Sequence, residues 1–145
     1  MEIRHFPELS NRDLYEILKL RSQVFIVEQK GCYLDPDGID CESTHIYQKE
    51  ADGSVSGCIR VYLKPDEPGT VQLGRLVVRD RMQGLGRRLM EAAEEIALTE
   101  YGCRQLFLTG RRSARGFYEK CGYTARVPQG FCQEDAPYFL FRRHL

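Results

Sequence analysis

At 145 residues, the chain is long enough for one domain with a real core and too short for two ordinary ones. Lysine plus arginine equals aspartate plus glutamate, 21 of each, so no global positive field exists to draw nucleic acid. No apolar stretch approaches a membrane span, the opening Met1-Glu2-Ile3-Arg4-His5 lacks a signal-peptide core, and six cysteines without a C-x-x-C pair read as free thiols of a cytoplasmic protein.

In chain order, residues 2–6 form an expected first strand. Ser10 then caps a helix, with Asp13 three residues on as in a capping box. Leu14, Ile17, Leu18, Val24 and Phe25 share one helical stripe. Residues 29–41 read as a loop over the front of the domain. Its Asp35-Pro36-Asp37-Gly38-Ile39-Asp40 resembles a calcium loop only at its start, because Ile46 stands where the closing glutamate belongs. A turn-rich surface loop without metal is the expectation. Strands at 44–49 and 55–63 meet in a hairpin at Ala51-Asp52-Gly53-Ser54. A turn at 65–69 leads to a strand at 71–78, and a helix runs from Leu85 to about Tyr101. A strand at 105–109, a helix at 113–121 and two strands, at 123–127 and 137–142, complete one α/β domain with a mixed sheet over residues 1–145.

The most informative run is Gly74-Arg75-Leu76-Val77-Val78-Arg79-Asp80-Arg81-Met82-Gln83-Gly84-Leu85-Gly86-Arg87-Arg88-Leu89-Met90. An apolar strand enters a glycine turn that opens onto a helix. A helix start carries unpaired N–H groups and the positive dipole end, glycine lets an anion approach the main chain, and Arg81, Arg87 and Arg88 add cationic donors. A phosphate is the expected ligand, against a glycine turn that binds nothing. Gly86 is followed by Arg87-Arg88, so the Gly-Lys-Ser/Thr of a nucleotide-binding loop is missing, and no third glycine completes a dinucleotide fingerprint. What remains is R/Q-x-x-G-x-G, met by Arg81 to Gly86. Downstream, Ala114-Arg115-Gly116-Phe117-Tyr118-Glu119-Lys120-Cys121-Gly122-Tyr123 follows a second apolar strand, with Ser113 placed to cap a short helix and Gly122 to end it.

These two stretches resemble the pyrophosphate motif and the A-x-x-F-Y signature of the GNAT superfamily of N-acetyltransferases. Leu20-Arg21-Ser22-Gln23-Val24-Phe25-Ile26-Val27-Glu28-Gln29, Tyr33 to Asp37, His45-Ile46 and the acidic Glu134-Asp135-Ala136-Pro137-Tyr138 are similar to the ElaA-like branch. Met82 stands where the motif usually has glycine, Arg111 where many members have asparagine, and the Arg79-Asp80 connection is shorter than usual by about two residues when the flanking strand and helix are aligned.

The resemblance implies the GNAT fold, a single mixed sheet with two splayed strands and flanking helices. It also implies direct transfer of acetyl from acetyl-CoA to a primary amine of a small molecule or peptide. Tyr118 is the implied acid for the departing thiolate. Leu76, Val77, Val78, Arg81, Met82, Gln83, Gly84, Leu85, Gly86, Arg87, Arg88 and Ser113 are the implied acetyl-CoA contacts. Glu28 is the candidate base, with a solvated helix-end carboxylate as its alternative. Tyr33, His45, Glu134 and Tyr138 are candidates for the acceptor pocket. A nucleic-acid partner, a membrane and a metal are not expected, and the chain reads as a monomer or homodimer. Two rivals stand beside this reading. A silent acyl-CoA sensor would keep the turn and lose Tyr118, and an acyl-homoserine-lactone synthase would need an S-adenosylmethionine site and a longer chain.

Overall fold

The computed structural model describes residues 1–145. Strand β1 (Glu2–His5) leads to helix α1 (Asn11–Arg21), which continues as a π-helical segment, Ser22–Glu28. Strands β2 (Thr44–Lys49), β3 (Val55–Leu63) and β4 (Thr70–Val78) follow, then α2 (Leu85–Thr99), β5 (Gln105–Arg111), α3 (Arg115–Lys120), β6 (Thr124–Arg126) and β7 (Tyr138–His144). The strands form one sheet in the order β1-β2-β3-β4-β5-β7-β6. Only the β4–β5 pair is parallel. No helix is long and apolar enough to cross a membrane.

The first helical segment covers one face of the sheet, and α2 and α3 cover the other. Ile17, Leu20 and Val24 of the first helical segment pack on Tyr47, Cys58 and Val77. Leu85, Leu89, Ala93, Ile96 and Ala97 of α2 pack on Ile46, Ile59, Val61, Val71 and Leu73 of the opposite face. Gly57 permits this approach, since a Cβ there would meet Leu85 Cδ2 at 2.8 Å and Leu89 Cδ1 at 3.1 Å.

The local signals behave as expected with two departures. Ser10 Oγ accepts from the Asp13 N–H at 3.0 Å, but the Asp13 carboxylate does not reach back to complete a box. It takes Tyr47 Oη at 3.1 Å and Lys49 Nζ at 2.7 Å instead, partners from β2 that local sequence cannot supply. Ser113 does not cap α3, whose N-cap is Ala114 without a side-chain bond. Gly122 does end α3, in the left-handed region, and the Tyr123 N–H closes on Tyr118 O at 3.1 Å.

Two backbone irregularities shape the front of the domain. Cys58 pairs with Val77 and Arg60 with Gly74, so Ile59 alone faces both Arg75 and Leu76. This is a β-bulge, with Arg75 at φ +57°. One extra residue inverts the side-chain alternation. Val71 and Leu73 face α2 before the bulge, whereas Val77 faces α1 after it. Parallel pairing of β4 with β5 also stops, at Leu73–Leu108, so the two strands run on unpaired beyond that point.

Candidate active site

The splay between β4 and β5 opens a cavity of about 370 Å³. Its walls are Gly74, Arg75 and Leu76 from β4 and Leu108 to Arg111 from β5, with Tyr33 and Gln29 across the front and Ser113 and Tyr118 behind. The main-chain groups of β4 that face β5 past Leu73 have no strand partner and remain available to a ligand.

Tyr118 reaches this cavity from α3. Its ring lies 4.8 Å from the Phe141 ring and 5.2 Å, edge-on, from that of Phe117. Gly110 leaves the space, because a Cβ there would lie 2.5 Å from Tyr118 Cε2. Burial pushes the phenol up to about 12, so it stays protonated across the ordinary pH range. The hydroxyl is a proton donor held in an apolar wall.

At the other end of the splay, α2 begins at Gly84, which takes φ +77° and offers no side-chain cap. The Arg88 N–H closes on Gly84 O at 3.2 Å. The three N–H groups before it, of Leu85, Gly86 and Arg87, precede any intrahelical partner and face outward with the positive end of a fifteen-residue helix. Met82 occupies the left-handed region at φ +64° and is fully exposed. Where the motif usually has glycine, methionine therefore carries about 1–2 kcal/mol of backbone strain with no packing in return. Val77 turns its side chain into the α1 face, and Leu85 is buried against the sheet, so any contact they make to a ligand here is through the main chain. Arg81 pairs with Glu28 at 3.1 Å, and Arg87 donates to Lys120 O at 3.3 Å, both on the surface.

The remaining candidates divide. Tyr33 lines the cavity, its ring 5.6 Å from the Arg75 guanidinium. Glu28 does not line it and is committed to Arg81. His45 is buried on the α1 face, where Nε2 meets Asp40 O at 2.9 Å, and burial holds its pKa below the usual value. It supports a loop carbonyl and does not line the cavity. Glu134 is exposed outside the cavity. Its backbone carbonyl, with those of Gln133 and Ala136, is held by Arg112 Nη1 at 2.7–3.3 Å. Tyr138 pairs opposite Arg111 in the sheet and packs edge-on to Phe131, beside the mouth and not in its wall.

Sequence reasoning missed the largest electrostatic feature. The acidic front loop is no free surface turn. Arg21 donates to Asp35 Oδ2 at 2.8 Å and to Asp40 Oδ1 at 2.7 Å. Arg60 grips Asp37 with both nitrogens, at 2.7 and 2.6 Å, and reaches Asp40 at 3.0 Å. Arg75, from the bulge, lies 2.8 Å from Asp35 Oδ1 and 3.2 Å from Asp37 Oδ2; the first contact is misaligned for a hydrogen bond and acts as an ion pair. Three arginines thus balance three aspartates, and no group of acidic, histidine or cysteine side chains is placed to hold a metal. One signal was present: Arg21 sits beside Leu20 on the apolar stripe of α1, where a buried arginine demands carboxylate partners.

The Acetyltransferase (GNAT) family model matches residues 11–123, a span that runs from α1 through both the α2 turn and Tyr118. The chain belongs to the GNAT family of acetyltransferases. Within the family it is ElaA-like. It is 31% identical to protein ElaA of Escherichia coli over 145 residues, covering 97% of this chain and 94% of ElaA. The crystal structure of E. coli ElaA superposes with a TM-score of 0.86 at 28% identity, covering 99% of this chain and 97% of that one. An acyl-CoA N-acyltransferase from Pseudomonas aeruginosa gives a TM-score of 0.84 at 30% identity, covering 98% and 97%. This GNAT enzyme therefore has the architecture in which family members use acetyl-CoA or another acyl-CoA.

Proposed function

We propose that this GNAT enzyme transfers acetyl from acetyl-CoA directly to a primary amine, with Tyr118 as the acid. The observation that carries the reading is the cavity between the parted strands, lined both by the unpaired edge of β4 and by the Tyr118 ring. The free N–H groups of α2 lie outside that lining, at the helix that follows β4, where Gly86 stands beside Phe117 and Val78. The residues fit the donor. The glycine-capped helix start suits a diphosphate, and the parted strands leave main-chain groups for the arm that follows it. Gln83 to Arg88 would hold the diphosphate, with Met82 exposed at the rim. When bound, acetyl-CoA supplies the acetyl group as an activated thioester.

The chain's own residues do the rest. N–H groups of β4 near Leu76 and Val78 are the donors for the carbonyl oxygen as it gains charge. Tyr118 Oη holds the proton that the departing sulfur needs. The burial that raises the phenol also raises a thiolate beside it, so the two stay matched in a shared apolar site. The cleft holds the reactants in register, which removes much of the entropic cost of their meeting.

No carboxylate or imidazole lines the cavity. On this reading the amine sheds its proton to water, and Glu28, paired with Arg81 outside the cavity, takes no part. In this mechanism kcat/KM rises with pH up to the acceptor's own pKa, and the Tyr118 limb lies beyond, near 12. Profiles for two acceptors of different pKa check this. Midpoints that track each amine are expected, and a common midpoint would reveal an enzyme-borne base. Calorimetric titration with acetyl-CoA tests the donor. Binding is expected to weaken in Arg87→Glu, most at low salt. Heat from S-adenosylmethionine, and none from acetyl-CoA, would overturn the reading. So would acetyl-CoA binding without thiol release across an amine panel, which favours the sensor.

A further inference from the structure

We infer that the acceptor is an amine that also bears an anionic group, a carboxylate or phosphate, and that Arg111 is the residue that selects it. This rests on the acetyl-transfer reading of the same cleft. The cavity wall contains two charged side chains, Arg75 and Arg111, and no acidic one. Arg75 is neutralised by Asp35 and Asp37. Its neighbours are also spent, because Arg112 is bound to the carbonyls of residues 133, 134 and 136 and Arg115 is paired with Glu119 at 2.8 Å. Of these four arginines, only Arg111 has a side chain with no hydrogen bond and no ion pair.

Its position is suited to selection. Arg111 ends β5, where the strand has parted from β4, and it shares the cavity mouth with Tyr33. The Tyr33 phenol, raised by burial, is drawn back by the nearby guanidiniums of Arg75 and Arg111. A free guanidinium over a partly apolar mouth binds a carboxylate or phosphate in a fork. The same field repels a polyamine, whose second ammonium would find no carboxylate in the wall. Glu134, expected to attract a cationic amine, lies outside.

Matched acceptors test this with purified enzyme, acetyl-CoA and a thiol-release readout. Each pair differs by its anionic group: α-amino acids against their decarboxylated amines, and O-phosphoethanolamine against ethanolamine. The expected result is a kcat/KM about tenfold or more higher for the acidic member of at least one class, which also says whether carboxylate or phosphate is preferred. Arg111→Gln is expected to reduce that ratio at least several-fold through the KM of the amine, and Arg111→Lys to restore part of it. Preference for the neutral amines overturns the inference, as does an unchanged ratio in Arg111→Gln or a change confined to the KM of acetyl-CoA. Turnover of neither member by an enzyme that binds acetyl-CoA also counts against the anionic class. Failure to bind acetyl-CoA at all instead removes the transfer reading.

Discussion

Replacing Tyr118 with phenylalanine is expected to lower kcat by about 10²–10⁴-fold, the usual worth of a positioned general acid. Acetyl-CoA affinity should stay close to that of the parent, because the ring remains to pack against Phe117 and Phe141 and only the hydroxyl is lost. Steady-state kinetics on an acceptor for which chemistry limits the rate, combined with calorimetric titration, separates the two quantities. The result is diagnostic because of where the hydroxyl sits. Its pKa near 12 means that no change of pH within the working range can mimic its removal. A variant with unchanged turnover would take Tyr118 out of the acid role. A variant with weakened acetyl-CoA binding and normal turnover would make it a packing residue of the cleft.

The largest stability loss should come from Arg21→Ala. This substitution leaves Asp35 and Asp40 buried beside each other with one of their cations gone. Breaking one partner out of a buried ion network costs about 3–5 kcal/mol. For a chain of this size that is a fall in Tm of roughly 10–15 °C. Urea unfolding followed by circular dichroism measures the loss. Arg21→Met with Asp40→Leu should regain part of it, since an apolar pair avoids stranding a charge. If the double variant is no more stable than the single one, packing by the arginine stem and not charge explains the effect. The same network sets the acid limit. Hydrogen bonding to Arg60 lowers Asp37 to about 2, and at Asp40 burial opposes ionisation but is overcome by Arg21 and Arg60. Depressed carboxylates contribute stability that is fully present above the unfolded range near 3.8 and is lost as pH falls through the folded values. Unfolding below about pH 4 is therefore expected to steepen toward pH 2.

Much of the enzyme was legible before any coordinate. The strand–glycine–helix run from Gly74 to Met90 and the helix carrying Phe117-Tyr118 are local patterns, and local chemistry dictates them. Alternating apolar residues make β4, Gly84 takes a conformation closed to most side chains, and the apolar spacing of α2 places Leu85, Leu89 and Ile96 on one face. What failed to read through was the direction of side chains whose partners are distant in sequence. Asp13 chose Tyr47 and Lys49 from β2 over its own helix end. His45 turned to the α1 face because its strand alternates with Ile46, which faces α2. Glu28 ended beside Arg81, 53 positions away, where it meets a surface cation outside the cavity.

By itself, then, the order of residues determined which segments are strands and helices, the family, the glycine turn that opens α2 and the helix that carries Tyr118. Each rests on contacts within a few residues. Tertiary structure alone decided the rest. It placed a bulge at Arg75 and Leu76 that inverts β4, ended the β4–β5 pairing at Leu73, folded an acidic loop onto three arginines, and left Arg111 without a partner at the mouth. Charge and register are settled by neighbours that the chain brings together only on folding, so the charge of the cavity wall is written in space and not along the sequence.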